Sequence, residues 1–131
     1  MYTFKKEERL CNKKLLEQLF HKGSSFLCYP FRVSWLAADV SQPTVVQVVF
    51  PVAKKRYKRA VDRNLIRRRT REAYRLNKQL NFYNILSAGE KKILLSVSYI
   101  GKEIVPFELM EQKMLKLFKQ LCEQVINENG S

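Results

Sequence analysis

The chemistry available to this chain is concentrated in its positive charge. Between residues 54 and 75 stand 11 lysines and arginines against two acids, Asp62 and Glu72, so this segment carries +9 of the net charge of +13. Within it Arg63, Arg67, Arg71 and Arg75 recur at every fourth position, with Asn64, Arg68 and Lys78 beside them. At 100° per residue such a row runs along one side of a helix. A solvated helix surface would mix signs, because like charges four residues apart repel. An unbroken row of guanidinium groups therefore asks for an anion from outside the chain. Arginine suits phosphate, since its planar fork grips two oxygens and also stacks on an unpaired base. The preceding stretch, Lys54, Lys55, Arg56, Tyr57, Lys58 and Arg59, adds donors and one aromatic ring.

Other chemistries lack residues. His21 is the only histidine, so neither a His/Cys metal cluster nor a general-base network can be assembled from imidazoles, and no catalytic residue is assigned. Cys11, Cys28 and Cys122 are odd in number, widely spaced and without metal-ligand rhythm. They read as reduced, partly buried thiols of a cytosolic protein. No metal or cofactor is expected on the chain.

The totals agree with a nucleic-acid partner. At 131 residues and 46% hydrophobic, the chain is the size of one compact domain, residues 1–131, with enough apolar material for a core. A net +13 costs folding stability through self-repulsion and points to a polyanion, nucleic acid first and an anionic membrane surface second. No apolar run approaches the roughly 20 residues that span a bilayer. The first ten residues are polar and charged, unlike a secretory signal. The expected location is the cytoplasm.

The elements that would position this charge follow from periodicity. Leu15, Leu16, Leu19 and Phe20 make one face of a helix over residues 12–22, with Asn12 as N-cap and Gly23 as stop. Residues 26–37 read as a strand whose Phe31, Val33 and Trp35 face opposite to Arg32 and Ser34, with a bend or sheet edge at Pro30. After a turn at residues 39–43, residues 45–52 read as a second strand, most simply its hairpin partner. The basic helix spans about 61–80, with Val61, Leu65, Ile66, Ala73, Leu76 and Leu80 turned to the sheet. Asp62 and Arg69 fall inside that apolar arc, where they could pair across two turns or Arg69 could snorkel outward. Residues 93–100 form a third strand, with Ile93, Leu95, Val97 and Tyr99 on one face. A last helix opens at Pro106 and packs the stripe Phe107, Met110, Met114, Leu117, Leu121 and Val125 on the sheet, and the tail, 127–131, is expected to fray. The order α-β-β-α-β-α makes an α+β fold, one small mixed sheet packed with helices.

Here the residues resemble a known family. Lys54-Lys55, then Ala60-Val61-Asp62-Arg63-Asn64-Leu65-Ile66-Arg67-Arg68, then Arg71-Glu72-Ala73-Tyr74-Arg75, are similar to the signature of the bacterial ribonuclease P protein component. Arg9-Leu10, Leu19-Phe20 and Gly23-Ser24 resemble that family's first helix and its exit, and the likeness covers about residues 9–122. The resemblance implies a sandwich with a left-handed βαβ crossover. It implies a subunit of a ribonucleoprotein endonuclease that removes the 5′ leader from precursor tRNA, in which the RNA subunit binds magnesium and performs the hydrolysis. The partners implied are that catalytic RNA and precursor tRNA, with neither DNA nor membrane.

Carried over by position, the RNA-binding set is Lys54, Lys55, Arg56, Lys58, Arg59, Arg63, Asn64, Arg67, Arg68, Arg71 and Arg75. The resemblance also implies a leader cleft lined by Leu16, Phe20, Arg32 and Ser34. Leu16 stands where the family often has an aromatic. Phe20 also belongs to the apolar stripe of its helix, so core packing and cleft lining are both open to it. Leu65 stands where the family usually has Arg, and Arg69, one turn later, is the expected replacement for that charge. The competing reading is a structural, ribosomal-type RNA binder using the same helix. A DNA-binding helix-turn-helix fits poorly, because strands and a Pro51-containing loop precede the basic helix.

Overall fold

The computed structural model describes residue 4, residues 6–39 and residues 41–128. A 3-10 turn, Lys6–Glu8, leads to helix α1, Lys13–Lys22, then strands β1, Ser24–Cys28, β2, Phe31–Ala37, and β3, Val46–Val49. Helix α2, Ala60–Lys78, passes through a wide π-helical turn, Gln79–Tyr83, into a short helix α3, Asn84–Ala88. Strand β4, Ile93–Tyr99, and helix α4, Phe107–Glu128, complete it. Of the tail expected to fray, Asn127 and Glu128 belong to α4 and residues 129–131 lie outside the described residues.

The four strands make one mixed sheet in the order β1-β2-β4-β3. β2 is antiparallel to both β1 and β4, and β3 is parallel to β4, so α2 and α3 form the crossover of a βαβ unit. The α+β architecture matches the sequence reading, with two corrections. The single strand expected over residues 26–37 is a hairpin, β1 and β2, with Tyr29 and the cis-linked Pro30 between them. A proline has no N–H for the ladder, and the chain places it outside both strands. The strand after the turn is not the hairpin partner of β2, because β4 lies between them. Residues 93–97 of β4 are buried on both faces, Ile93, Leu95 and Val97 on one and Leu94 and Ser96 on the other. A strand of that kind belongs at the centre of a sheet, and its burial outweighs the shorter connection.

The sheet is covered on both sides. On one face Phe31, Val33, Trp35, Val48, Leu95 and Val97 pack with α2, the π-turn and α4 in the main core. The stripe Met110, Met114, Leu117, Leu121 and Val125 of α4 is fully buried there, as its spacing predicts. Trp35 Nε1 donates to Gln124 Oε1 at 2.9 Å, which pins α4 across the sheet. On the other face α1 covers one end through a small core of Leu10, Leu19 and Leu94, with Leu16, Leu36 and Val49 at its margin. Asn12 caps α1, accepting from the N–H of Lys14 at 2.9 Å and of Leu15 at 3.2 Å. Gly23 ends α1 with extended backbone, and what it supplies is room. A Cβ there would lie 2.4 Å from the Leu19 carbonyl and 2.8 Å from that of Trp35.

The buried stripe of α2 is Ile66, Thr70, Ala73, Tyr74 and Lys78. Of the residues expected to face inward, Ile66 and Ala73 do, whereas Val61 and Leu80 are exposed and Leu65 and Leu76 half-buried. Leu80 lies in the π-turn, whose extra residue shifts the helical phase and turns Phe82, Tyr83 and then Leu86 into the core instead.

Candidate RNA interface

The basic helix forms because its core side outweighs its charged side. Like charges at i, i+4 cost roughly 0.2–0.5 kcal/mol per pair, whereas burying one large apolar side chain gains about 1.5–3 kcal/mol. With Ile66 and Tyr74 fully buried, the arginine row is carried at a tolerable cost.

The row is not straight. Each i, i+4 step turns about 40° around the axis, so four arginines spread over about a third of the circumference. Arg63 therefore lies toward the core side. Its Nη1 donates to the carbonyls of Tyr57 and Lys58, both at 2.9 Å, and fastens the preceding loop to the first turn of α2. Arg67 is half-buried, while Asn64, Arg68 and Arg71 are exposed. Arg75 is ion-paired with Glu72, with Nε to Oε2 at 3.2 Å, and this partner holds the Glu72 carboxyl below its ordinary range. Arg67, Arg68 and Arg71 form no salt bridge among the described residues.

The loop before α2 presents Lys54, Lys55, Arg56, Lys58 and Arg59, all exposed. Tyr57, the aromatic among them, is its anchor: the hydroxyl donates to the Gly101 carbonyl at 2.7 Å and the ring packs against Tyr99. Burial raises its phenol pKa. Gly101 is required there by space, since a Cβ would meet the Tyr99 ring at 2.8 Å.

A second surface lies on the sheet face that α1 leaves open. Arg32 stands between Leu27 of β1 and Ser98 of β4, and Ser34 between Ser25 and Ser96. Arg32 and Leu27 are exposed and Ser34 is half-buried. Phe20, on the last turns of α1, is 59% exposed and so stands outside the core. Leu16 is half-buried against the small core under α1.

Two residues have different surroundings from those the sequence suggested. Arg69 Nη1 donates to the Val105 carbonyl at 2.9 Å, ahead of α4, so the open choice between Asp62 and solvent resolves to neither. Lys78, placed by helical angle beside the arginines, is 2% exposed and ion-paired with Glu8. Tyr83 donates to the same Glu8 carboxylate at 2.6 Å, and its oxygen is 2.8 Å from that of Tyr74. With the Tyr83 hydroxyl donating to the Glu8 carboxylate, Tyr74 is the donor to Tyr83. The Lys78 ammonium also lies 5.3 Å from the Phe4 ring centre and 5.1 Å from that of Tyr83. One signal could have found Lys78: it follows Tyr74 by four residues on the buried stripe. Among the described residues no three His, Cys, Asp or Glu side chains group as a metal site, and no helix is long and apolar enough to cross a membrane.

A family model described as Ribonuclease P matches residues 4–122. The chain belongs to the ribonuclease P protein family. The ribonuclease P protein component of Porphyromonas gingivalis strain ATCC 33277 is 33% identical over 124 residues, covering 95% of this chain and 90% of that relative. The ribonuclease P protein component of Chlorobium phaeobacteroides is 34% identical over 133 residues, covering 91% of this chain and 88% of the relative. Among solved structures, the RNase P protein from Thermotoga maritima shares the fold with a TM-score of 0.68 at 24% identity, covering 86% of this chain and 96% of that one. The Staphylococcus aureus RNase P protein gives 0.65 at 18% identity, covering 90% and 97%.

Proposed function

We propose that this chain, acting as a single RNA-binding domain in the cytoplasm, is the protein subunit of a ribonucleoprotein endonuclease that removes the 5′ leader from precursor tRNA. The observation that carries the reading is the seating of α2. Its buried stripe is locked in the core while the exposed Asn64, Arg68 and Arg71 and the half-buried Arg67 have no carboxylate paired to them among the described residues. These four and the collar Lys54, Lys55, Arg56, Lys58 and Arg59 hold phosphates of the catalytic RNA. Arg63 holds the collar in place, and Arg75 contributes a charge already shared with Glu72. Arg32 and Ser34 on the open sheet face, with Phe20 and Leu16 of α1, receive the single-stranded leader: the guanidinium takes a phosphate and the exposed Phe20 ring offers a base a stacking face. Hydrolysis and the magnesium it uses belong to the RNA subunit, and the protein binds no cofactor of its own.

Two measurements test this. Added to its cognate RNA subunit at low magnesium, the protein should stimulate cleavage of precursor tRNA at the mature 5′ end; no stimulation would overturn the reading. Affinity for the RNA subunit should fall linearly with salt on a log–log plot, each phosphate contact contributing about −0.7 to −0.9. Arg67→Ala/Arg71→Ala should flatten that slope by roughly 1.4–1.8. An unchanged slope would remove both residues from the contact.

A further inference from the structure

Between the N-terminal segment, β3 and α2 runs a groove of about 270 Å³ whose lining does not resemble a plain phosphate contact. Its apolar part comes from Phe4, Val49 and Phe50, and its charged part from Arg9, Arg67 and Arg71. The guanidinium groups arrive from two separate elements. The N-terminal segment lies along the edge of the sheet, with Arg9 bridged to Val48 and the Leu10 N–H donating to the Val48 carbonyl at 3.0 Å. Arg67 and Arg71 come from successive turns of α2. No carboxylate lines the groove among the described residues, and Glu8, next to Arg9, is turned into the core against Lys78. Leu10 and Val49 belong also to the small core under α1, so the groove sits where the arginine face of α2 meets the α1 side of the sheet.

Three arginines over an apolar floor match a ligand that is anionic at one end and flat and apolar at the other. A phosphate alone would leave the floor unused, and an apolar group alone would leave three charges unanswered. An unpaired nucleotide satisfies both, its base on the floor and its phosphate on the guanidinium groups. The volume is at the small end for ligand pockets and suits one base rather than a run of them. We infer that this groove binds one unpaired nucleotide of RNA, donated either by the RNA subunit or by the precursor leader. The inference rests on the RNA-binding reading above and adds, beside Arg67 and Arg71 of the arginine face, a base site apart from the Arg32–Ser34 cleft.

Cys11 provides the test, because it is exposed and lines the groove. Cys11→Trp would fill the groove while leaving all three arginines in place. Binding of a short unpaired RNA oligomer is compared with that of the same oligomer made abasic. Stacking is worth about tenfold per base, so the parent protein should prefer the intact oligomer by at least that factor. Cys11→Trp should lose about fivefold or more of this preference with its salt slope unchanged, whereas Leu115→Trp, on the exposed side of α4, should keep it. Retention of the full preference by Cys11→Trp overturns the inference. In the unmodified protein, maleimide labelling of Cys11 should be slowed by the RNA subunit or by precursor tRNA, and which one protects names the donor. Protection by neither overturns the inference as well. If the protein fails to stimulate cleavage of precursor tRNA with the RNA subunit, the RNA-binding reading itself fails; if stimulation is seen and Cys11→Trp has no effect, only the groove does.

Discussion

At the scale of single residues, the cost of stranding a charge decides what can be changed. Lys78 and Glu8 neutralise each other in a site that excludes water, and Tyr83 supplies a further hydrogen bond. Such a pair adds little net stability over apolar replacements, yet removing one partner leaves an uncompensated buried charge, typically at a cost of 3–5 kcal/mol. Glu8→Gln should therefore lower unfolding stability by about 3–5 kcal/mol in urea titrations, and Glu8→Leu/Lys78→Met should recover most of it. Equal stability of Glu8→Gln and the parent would show that the pair does not matter. Residue types and helical angles place Arg68 and Arg71 correctly on the outside. The partners of Arg69 and Lys78 were not legible, because Val105 and Glu8 lie 36 and 70 residues away along the chain.

At the scale of elements, periodicity gave α1, β4 and α4 nearly whole, because each buries a regular stripe. It failed where the period changes. The π-turn after α2 carries helix on to Ala88, although the 3.6-residue rhythm breaks at Leu80. The hairpin at Pro30 reads in the sequence as one strand with a bend or sheet edge, because the alternation of β2 is clear and that of β1 is not. The end of α3 supplies a test. The N–H of Lys91 reaches the Leu86 carbonyl at 2.9 Å and that of Glu90 the Ser87 carbonyl at 3.0 Å, the paired bonds of a Schellman ending. Glu90 occupies its left-handed position at φ 57°, where glycine has no steric penalty, and Gly89 stands one residue early. Glu90→Gly should stabilise the protein by about 1 kcal/mol, read as a raised thermal midpoint. A lowered midpoint would mean that the Glu90 side chain contributes more than its backbone costs.

At the scale of the molecule, net charge and composition located the partner class, and the candidate RNA surface was largely legible from one segment. The groove lined by Arg9 and Phe4 was not, because it exists only once the N-terminal segment lies along β3. The aromatic core sets the alkaline limit of stability. Burial raises the phenol pKa of Tyr74 and of Tyr83, both beyond the ordinary value of about 10. A raised folded pKa means a contribution fully present below the unfolded value and lost as pH climbs above about 10 toward the folded values. Tyrosinate absorbance should therefore show these two rings ionising together with loss of the circular dichroism signal. Their ionisation with the helical signal intact would contradict the buried network.

The clasp between Glu8 and Lys78 also sets an order of events in synthesis. The segment that walls the groove leaves the ribosome before α2, but Glu8 cannot be buried against its partners until Lys78 and Tyr83 have followed. The floor at Val49 and Phe50 and the arginines of α2 are made in between. A growing chain therefore carries its charged helix before it carries a finished groove, whose wall closes only once the later residues that hold it have followed.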